Sequence, residues 1–149
     1  MKKHRINIKL LDDKATIPTQ GSAGAAGRDL YADLGGNNLM VQPHTCATVP
    51  LGFAMAIPEG WVGLVFPRSG AAMKKGLRLA NSVGVIDSDY RGEWKLLIYN
   101  DSDCTQIIEH GERIAQVLFM KFKDVVFYPV KELDETDRGD GGFGSTGEK

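Results

Sequence analysis

Apolar and polar residues alternate through Ile6, Ile8 and Leu10. The runs holding Leu39, Val41, Val49, Phe53, Met55 and Ile57 are punctuated by Pro43, by Pro50 with Gly52 and by Pro58 with Gly60. A period of two is that of a strand with one buried face, and Pro and Gly at this density leave little room for helix. Further apolar runs follow at Trp61 to Phe66, Leu77 to Ile86, Trp94 to Asn100, Ile114 to Phe122 and Val125 to Val130. Strands spaced this way predict a closed or two-sheet antiparallel β architecture. One short helix is expected, with Ser69 as its cap, Ala71, Ala72, Met73, Lys74 and Lys75 as its body and Gly76 as its end. Both lysines then sit near the negative end of the helix dipole.

Composition narrows the picture. The 149 residues, 42% of them hydrophobic, suffice for one globular domain with a real core. A net charge of -1, with no basic block after the first five residues, argues against a nucleic-acid partner. Met1-Lys2-Lys3-His4-Arg5 is followed by an alternating segment rather than an apolar run, so neither a signal peptide nor a membrane span is expected. Cys46 and Cys104 lie far apart, and no Cys or His falls at zinc-ligand spacing. The cytoplasm or another reducing intracellular compartment fits this usage.

Four stretches carry candidate chemistry. Asn81 to Gly92 lies between the arms Leu77 to Ile86 and Trp94 to Ile98, and reads as a β-hairpin whose turn holds Asp87, Asp89, Tyr90 and Arg91. An ionised carboxylate beside such apolar walls needs a partner, and the turn is too elaborate for a simple Asp-Gly reversal. Pro67-Arg68-Ser69-Gly70 sets a guanidinium, a hydroxyl and an open amide at a helix start, which suits an anion such as phosphate and equally a capping serine beside a surface arginine. Arg113 to Met120 is apolar on both faces after its first residue, apart from Gln116. A buried amide needs partners, from the core or, the favoured reading, from something bound. The tail from Glu135 onward holds five glycines after Arg138, with Phe143 as its one large apolar residue. It cannot fold alone, but its amides and hydroxyls suit a phosphate chain and its ring suits a base. It is not a P-loop, since Gly141-Gly142-Phe143-Gly144-Ser145-Thr146-Gly147 lacks the lysine and the flanking strand and helix.

Taken in order, Ala26-Gly27-Arg28-Asp29-Leu30, Pro67-Arg68-Ser69-Gly70, Gly84-Val85-Ile86-Asp87-Ser88-Asp89-Tyr90-Arg91-Gly92, Gly111-Glu112-Arg113-Ile114-Ala115-Gln116 and Arg138-Gly139-Asp140-Gly141-Gly142-Phe143-Gly144-Ser145-Thr146-Gly147 resemble the five motifs of trimeric dUTPases. Any one of the shorter motifs is weak evidence, whereas five in order across nearly the whole chain are specific. The resemblance implies an all-β fold, a distorted antiparallel β-barrel of jelly-roll type with one short helix, assembled as a homotrimer with sites between subunits. Residues 1–135 would form the barrel, and 136–149 a flexible lid over a neighbour's site. The implied reaction is magnesium-assisted hydrolysis of dUTP to dUMP and pyrophosphate, with Mg2+ as the cofactor. It would exclude uracil from DNA and supply dUMP for thymidylate synthesis.

The same resemblance distributes the roles. Asp87 would deprotonate the attacking water and hold the sugar hydroxyl, and Gln116 would add a hydrogen bond to the triphosphate. Arg68, Ser69 and Gly70 would bind phosphate, with Arg138, Gly144, Ser145 and Thr146 on the lid side and Phe143 stacked on uracil. Asn81 and the backbone of Gly84, Val85 and Ile86 would read the base, while Tyr90 presses on the deoxyribose. Asp29 would reach the metal through water. Arg68 is left with two possible partners, the phosphate chain or a site carboxylate. Two rivals are weighed. The dCTP deaminase branch of the same fold needs a glutamate where Leu97 stands, and leucine cannot move protons. A regulatory nucleotide-binding module is opposed by the intact Asp29, Asp87, Gln116 and Arg138.

Overall fold

The computed structural model describes residues 4–142. It holds twelve strands: β1 (Asn7–Leu10), β2 (Thr19–Gln20), β3 (Arg28–Tyr31), β4 (Asn38–Val41), β5 (Cys46–Pro50), β6 (Phe53–Ala56), β7 (Trp61–Pro67), β8 (Leu77–Leu79), β9 (Gly84–Ile86), β10 (Lys95–Asn100), β11 (Gln106–Glu109) and β12 (Arg113–Lys121). The helix α1 (Ser69–Lys75) lies between β7 and β8. Every pairing is antiparallel: β2-β3-β12-β7-β9, β5-β10-β8, β11-β4 and β1-β6. The fold is all-β and of jelly-roll type, as expected.

The core sits between the sheets. Leu30, Val65 and Val117 of the five-stranded sheet pack with Leu79, Leu96 and Ile98 of the three-stranded one, and Phe53 and Trp94 fill the space beside them. Strand β10 reads exposed and buried in alternation, the signature of a strand with one wet face. Its last residue, Asn100, is polar and fully buried yet satisfied. Its amide donates to the carbonyls of Val41 and Cys104, and its Oδ1 accepts from Ser102 N and Oγ. A buried amide with all its bonds made fixes the β10 to β11 turn at little energetic loss.

Three expectations are corrected. First, Leu77 to Ile86 is not one arm of a hairpin. Its first part pairs with β10 through Leu79↔Ile98, and its second pairs with β7 through Val85↔Leu64. A turn at Ala80–Val83, with Ser82 at φ 63, carries the chain from one sheet to the other. The segment 81–92 is therefore the rim between two sheets. Second, Arg68, extended at φ -96 and ψ 137, occupies the cap position of α1, and no side chain caps the helix. Ser69 is already helical, so its hydroxyl stays outside the cap bond. Gly76 ends the helix in the left-handed region, with Lys74 and Lys75 in the last turn, as expected.

Third, Val125 to Val130 is not a strand of this barrel. After β12 the chain runs on without pairing, and its apolar side chains stand in solvent, from 61% exposed at Val125 to 89% at Phe127. The apolar pattern predicted a strand here, and the structure shows neither strand pairing nor burial for it.

Candidate active site

The phosphate-type residues come together on the five-stranded sheet. Strand β12 lies between β3 and β7, with Gln116 opposite Asp29 on one side and Phe66 on the other. Where β7 ends at Pro67, Arg68 turns back over the same face. Its Nε lies 2.9 Å from Asp29 Oδ1, and its Nη1 donates to the Arg113 carbonyl at 3.2 Å. Arg113 Nη1 donates to Asp29 Oδ2, also at 3.2 Å. The carboxylate of this buried residue is thus gripped by two guanidiniums through its two oxygens. Two cations beside one anion leave the cluster net positive. That field suits an incoming polyanion.

The start of β12 is itself anchored. Lys75 Nζ reaches Glu112 Oε1 at 2.7 Å and the Ile107 carbonyl at 2.7 Å, and Glu112 Oε2 accepts from Glu109 N at 3.0 Å. The helix end is thereby tied to the turn that delivers Arg113. Gln116 is half-buried, and its Nε2 donates to the Pro67 carbonyl at 3.1 Å. A protein partner therefore satisfies that donor, where a bound group was the favoured reading. Its Oε1 faces Gly27 so closely that a Cβ there would stand 2.5 Å away. Asp29, Arg68, Ser69, Arg113 and Gln116 line one hollow of about 580 Å³, floored by Gly21 and Ala25 to Gly27. Gly70 follows Ser69 in the exposed first turn of α1.

The base-type residues lie elsewhere. Asn81, Gly84, Val85 and Ile86 line a cleft of about 90 Å³ between β8, β9 and β10, with Val65, Leu79, Trp94 and Leu96 behind them. Asp87 follows directly, exposed, in a turn closed by Tyr90 N donating to the Asp87 carbonyl at 3.2 Å. The Tyr90 hydroxyl donates to the Glu93 carbonyl at 3.0 Å, and its ring lies so near Gly92 that a Cβ there would meet the hydroxyl at 2.5 Å. Arg91 Nη1 ties the turn further by donating to the Ser88 carbonyl at 2.6 Å. Asp87 also lines a hollow of about 570 Å³ with Asp89, Arg91, Glu59 and Trp61.

Within one chain these two groups do not share a cavity: no residue around Asn81 or Asp87 also lines the Arg68 and Gln116 hollow. Arg138, the first tail residue of interest, is exposed and closes a local turn by donating to the Gly141 carbonyl at 2.9 Å. Phe143, Gly144, Ser145 and Thr146 lie outside the described residues. Leu97, where a deaminase would need its acid, is 44% exposed on β10. Arg113, a member of the fourth motif, is a site residue that the sequence leaves without a role. The signal was available, as the one cation before an apolar run that begins after a Gly-containing turn.

Among the described residues no three His, Cys, Asp or Glu side chains gather into a metal-binding group, and no helix is long and apolar enough to cross a membrane. Cys46 and Cys104 are both exposed and unpaired.

Comparison with known proteins is consistent with this geometry. A family model described as dUTPase matches residues 13–147. The deoxyuridine 5'-triphosphate nucleotidohydrolase of Syntrophotalea carbinolica is 46% identical over 147 residues, 99% of each chain. That of a Hydrogenobaculum species is 43% identical, covering 97% of this chain and 99% of its own. Among solved structures, the dUTPase of Staphylococcus bacteriophage 80alpha with dUpNHpp superposes at a TM-score of 0.88 with 28% identity, over 97% of this chain and 99% of that one.

Proposed function

Because the chain belongs to the dUTPase family, we propose that it hydrolyses dUTP to dUMP and pyrophosphate by water attack on the α-phosphorus. The observation that carries this reading is the Asp29 carboxylate held between Arg68 and Arg113 beside the Gln116 amide. A pair of guanidiniums oriented by a buried anion is preorganised for the triphosphate, so little rearrangement opposes binding. Ser69 and Gly70 add a hydroxyl and an amide in the open first turn beside them.

Asp87 would act as the general base. It takes a proton from water as the water oxygen bonds to the α-phosphorus. The bond from that phosphorus to the bridging oxygen breaks, and pyrophosphate leaves with the electron pair. The 90 Å³ cleft next to Asp87 would hold uracil against Asn81 and the backbone of Gly84 to Ile86, while Tyr90 fills the space a ribose hydroxyl would need. Bound Mg2+ would neutralise charge on the triphosphate oxygens. The donor set fits an ion carried mainly by substrate and water, because no acidic cage is present among the described residues and both Asp29 oxygens already accept from arginines. Asp29 would then reach it only through water.

A homotrimer is supported by two features. The base-side and phosphate-side residues line separate hollows in one chain, so a complete site would join Asp87 of one copy to Arg68 and Gln116 of another. The unpaired arm from Val125 to Leu133 exposes Val, Phe, Tyr and Leu side chains, each worth roughly 1.5–3 kcal/mol if buried. A neighbouring copy would cover them, and would bring residues 136–149 over that neighbour's site as a lid. The proposed role of Asp87 is tested by Asp87→Asn, which should lower turnover by about three orders of magnitude while dUTP affinity stays within a few fold. Unaltered turnover removes Asp87 from the role of base.

A further inference from the structure

Tyr90 sits in the turn that joins the two walls of the base cleft. Gly84, Val85 and Ile86 line one wall and lead into Asp87, while Lys95, Leu96 and Leu97 line the other, close after Glu93. Tyr90 is bonded to both ends of that turn. Its N donates to the Asp87 carbonyl at 3.2 Å, and its hydroxyl donates to the Glu93 carbonyl at 3.0 Å. Its own carbonyl is held as well, accepting from Arg91 Nη1 at 3.0 Å. The side chain thus reaches from residue 90 to residue 93, and on the way it passes over residue 92.

Glycine stands at 92, and space is the reason. A Cβ there would meet Tyr90 Oη at 2.5 Å, Cζ at 2.6 Å and Cε2 at 2.9 Å, so the three nearest atoms all belong to one side chain. The φ of Gly92 lies outside the left-handed region that Gly76 and Gly111 occupy. The backbone would therefore accept alanine, whereas the ring in its present place would not. Tyr90 is also 45% exposed, open to solvent and free of the packing that locks a core ring. A single exposed hydrogen bond holds such a ring weakly, so its place depends on the close seat beneath it.

We propose that Gly92 is a positioning residue for sugar selection: the absence of a side chain there seats the Tyr90 ring beside the cleft. This rests on Tyr90 being the residue that excludes a ribose hydroxyl, and names what holds it in place. A side chain at 92 pushes the ring off the Glu93 carbonyl toward solvent and opens the space a 2'-hydroxyl needs. Selection by shape is only as strict as the wall is fixed.

Gly92→Ala is the test, read as ratios of kcat/KM between substrates. The preference for dUTP over UTP should fall roughly tenfold or more, the scale on which a pocket wall discriminates. The preference for dUTP over dTTP should change less than about twofold, because Asn81 and Gly84 to Ile86 are untouched. Both ratios falling together would mean general loosening of the site, and overturns the inference. In a Tyr90→Ala chain, adding Gly92→Ala should move the sugar ratio by less than about twofold, since the ring through which Gly92 acts is gone. A further fall in that background overturns the inference too.

The same variants separate this inference from the reading beneath it. If Tyr90→Ala relaxes sugar selection and Gly92→Ala does not, Gly92 loses its role and Tyr90 keeps its own. If neither relaxes it, both readings fall. Should Gly92→Ala not fold, the double variant decides: removal of the ring clears the obstruction, so the chain should fold and match Tyr90→Ala in sugar preference. A double variant that still fails to fold shows that the backbone itself needs glycine, which overturns the inference.

Discussion

Asp29→Asn tests whether the site is held by charge. The substitution keeps the shape of a side chain that is 11% exposed, but removes the anion between two cations. The amide oxygen can still accept from one guanidinium, while its NH2 group must face the other, donor against donor. Removing one partner of a buried ion pair costs about 3–5 kcal/mol, and an exposed pair is worth about 0–1 kcal/mol. Here the anion is buried, but Arg68 is 28% exposed and Arg113 50% exposed, so water takes up part of the loss. The expected destabilisation is about 2 kcal/mol, or a thermal midpoint lowered by about 4–8 °C for a domain of this size. Circular dichroism melts at one fixed protein concentration measure it, since assembly would otherwise shift the midpoint. Most of the gap should persist in 1 M salt, because contacts of 2.9 and 3.2 Å around a buried oxygen are poorly screened. An unchanged midpoint, or a gap that vanishes in high salt, would refute the idea that Asp29 is the structural anchor of Arg68 and Arg113.

Further substitutions separate site from scaffold. Gly27→Ala puts a Cβ 2.5 Å from Gln116 Oε1, the free end of a flexible side chain; activity should fall more than about tenfold while stability changes by less than about 1 kcal/mol. Gly52→Ala meets Asp33 Oδ2 at 2.0 Å and the Ala15 Cβ at 2.7 Å from a backbone at φ +69. Its urea midpoint should show a loss of about 3 kcal/mol or more. Deleting residues 136–149 should abolish most turnover while leaving the thermal midpoint of the barrel within about 2 °C, since the described part of the tail bonds only to itself. A fully active truncate would remove the lid from the account.

Two strands were legible for different reasons, β10 because one-sided burial forces alternation and β12 because a central strand apolar on both faces reads as a continuous run; each lies within about a residue of the run that predicted it. Some elements escaped: the two residues of β2 are too brief for a period to declare itself, and β11, Gln-Ile-Ile-Glu, sets its apolar residues side by side rather than in alternation. The segment 77–86 has apolar residues on both sides of the polar pair Asn81-Ser82, and its crossing between sheets falls there, where Ser82 is left-handed. Val125 to Val130 shows the limit of periodicity most clearly. A run of apolar residues declares that it will be buried, never against which surface or in which copy of the chain. In the site, the motif residues were visible as types in order, but the pairing of Arg68 with Asp29 needed coordinates, because phosphate and carboxylate attract a guanidinium equally well. Arg113 gained its meaning only from a partner distant in sequence, Asp29.

The central claim, that this chain selects and hydrolyses dUTP, is tested most directly by pyrophosphate release from dUTP, UTP, dTTP and dCTP, each with magnesium and again after chelation. Release from dUTP alone, lost when the metal is removed, is the predicted result. Comparable release from UTP or dTTP, or none from any of the four, would contradict the account.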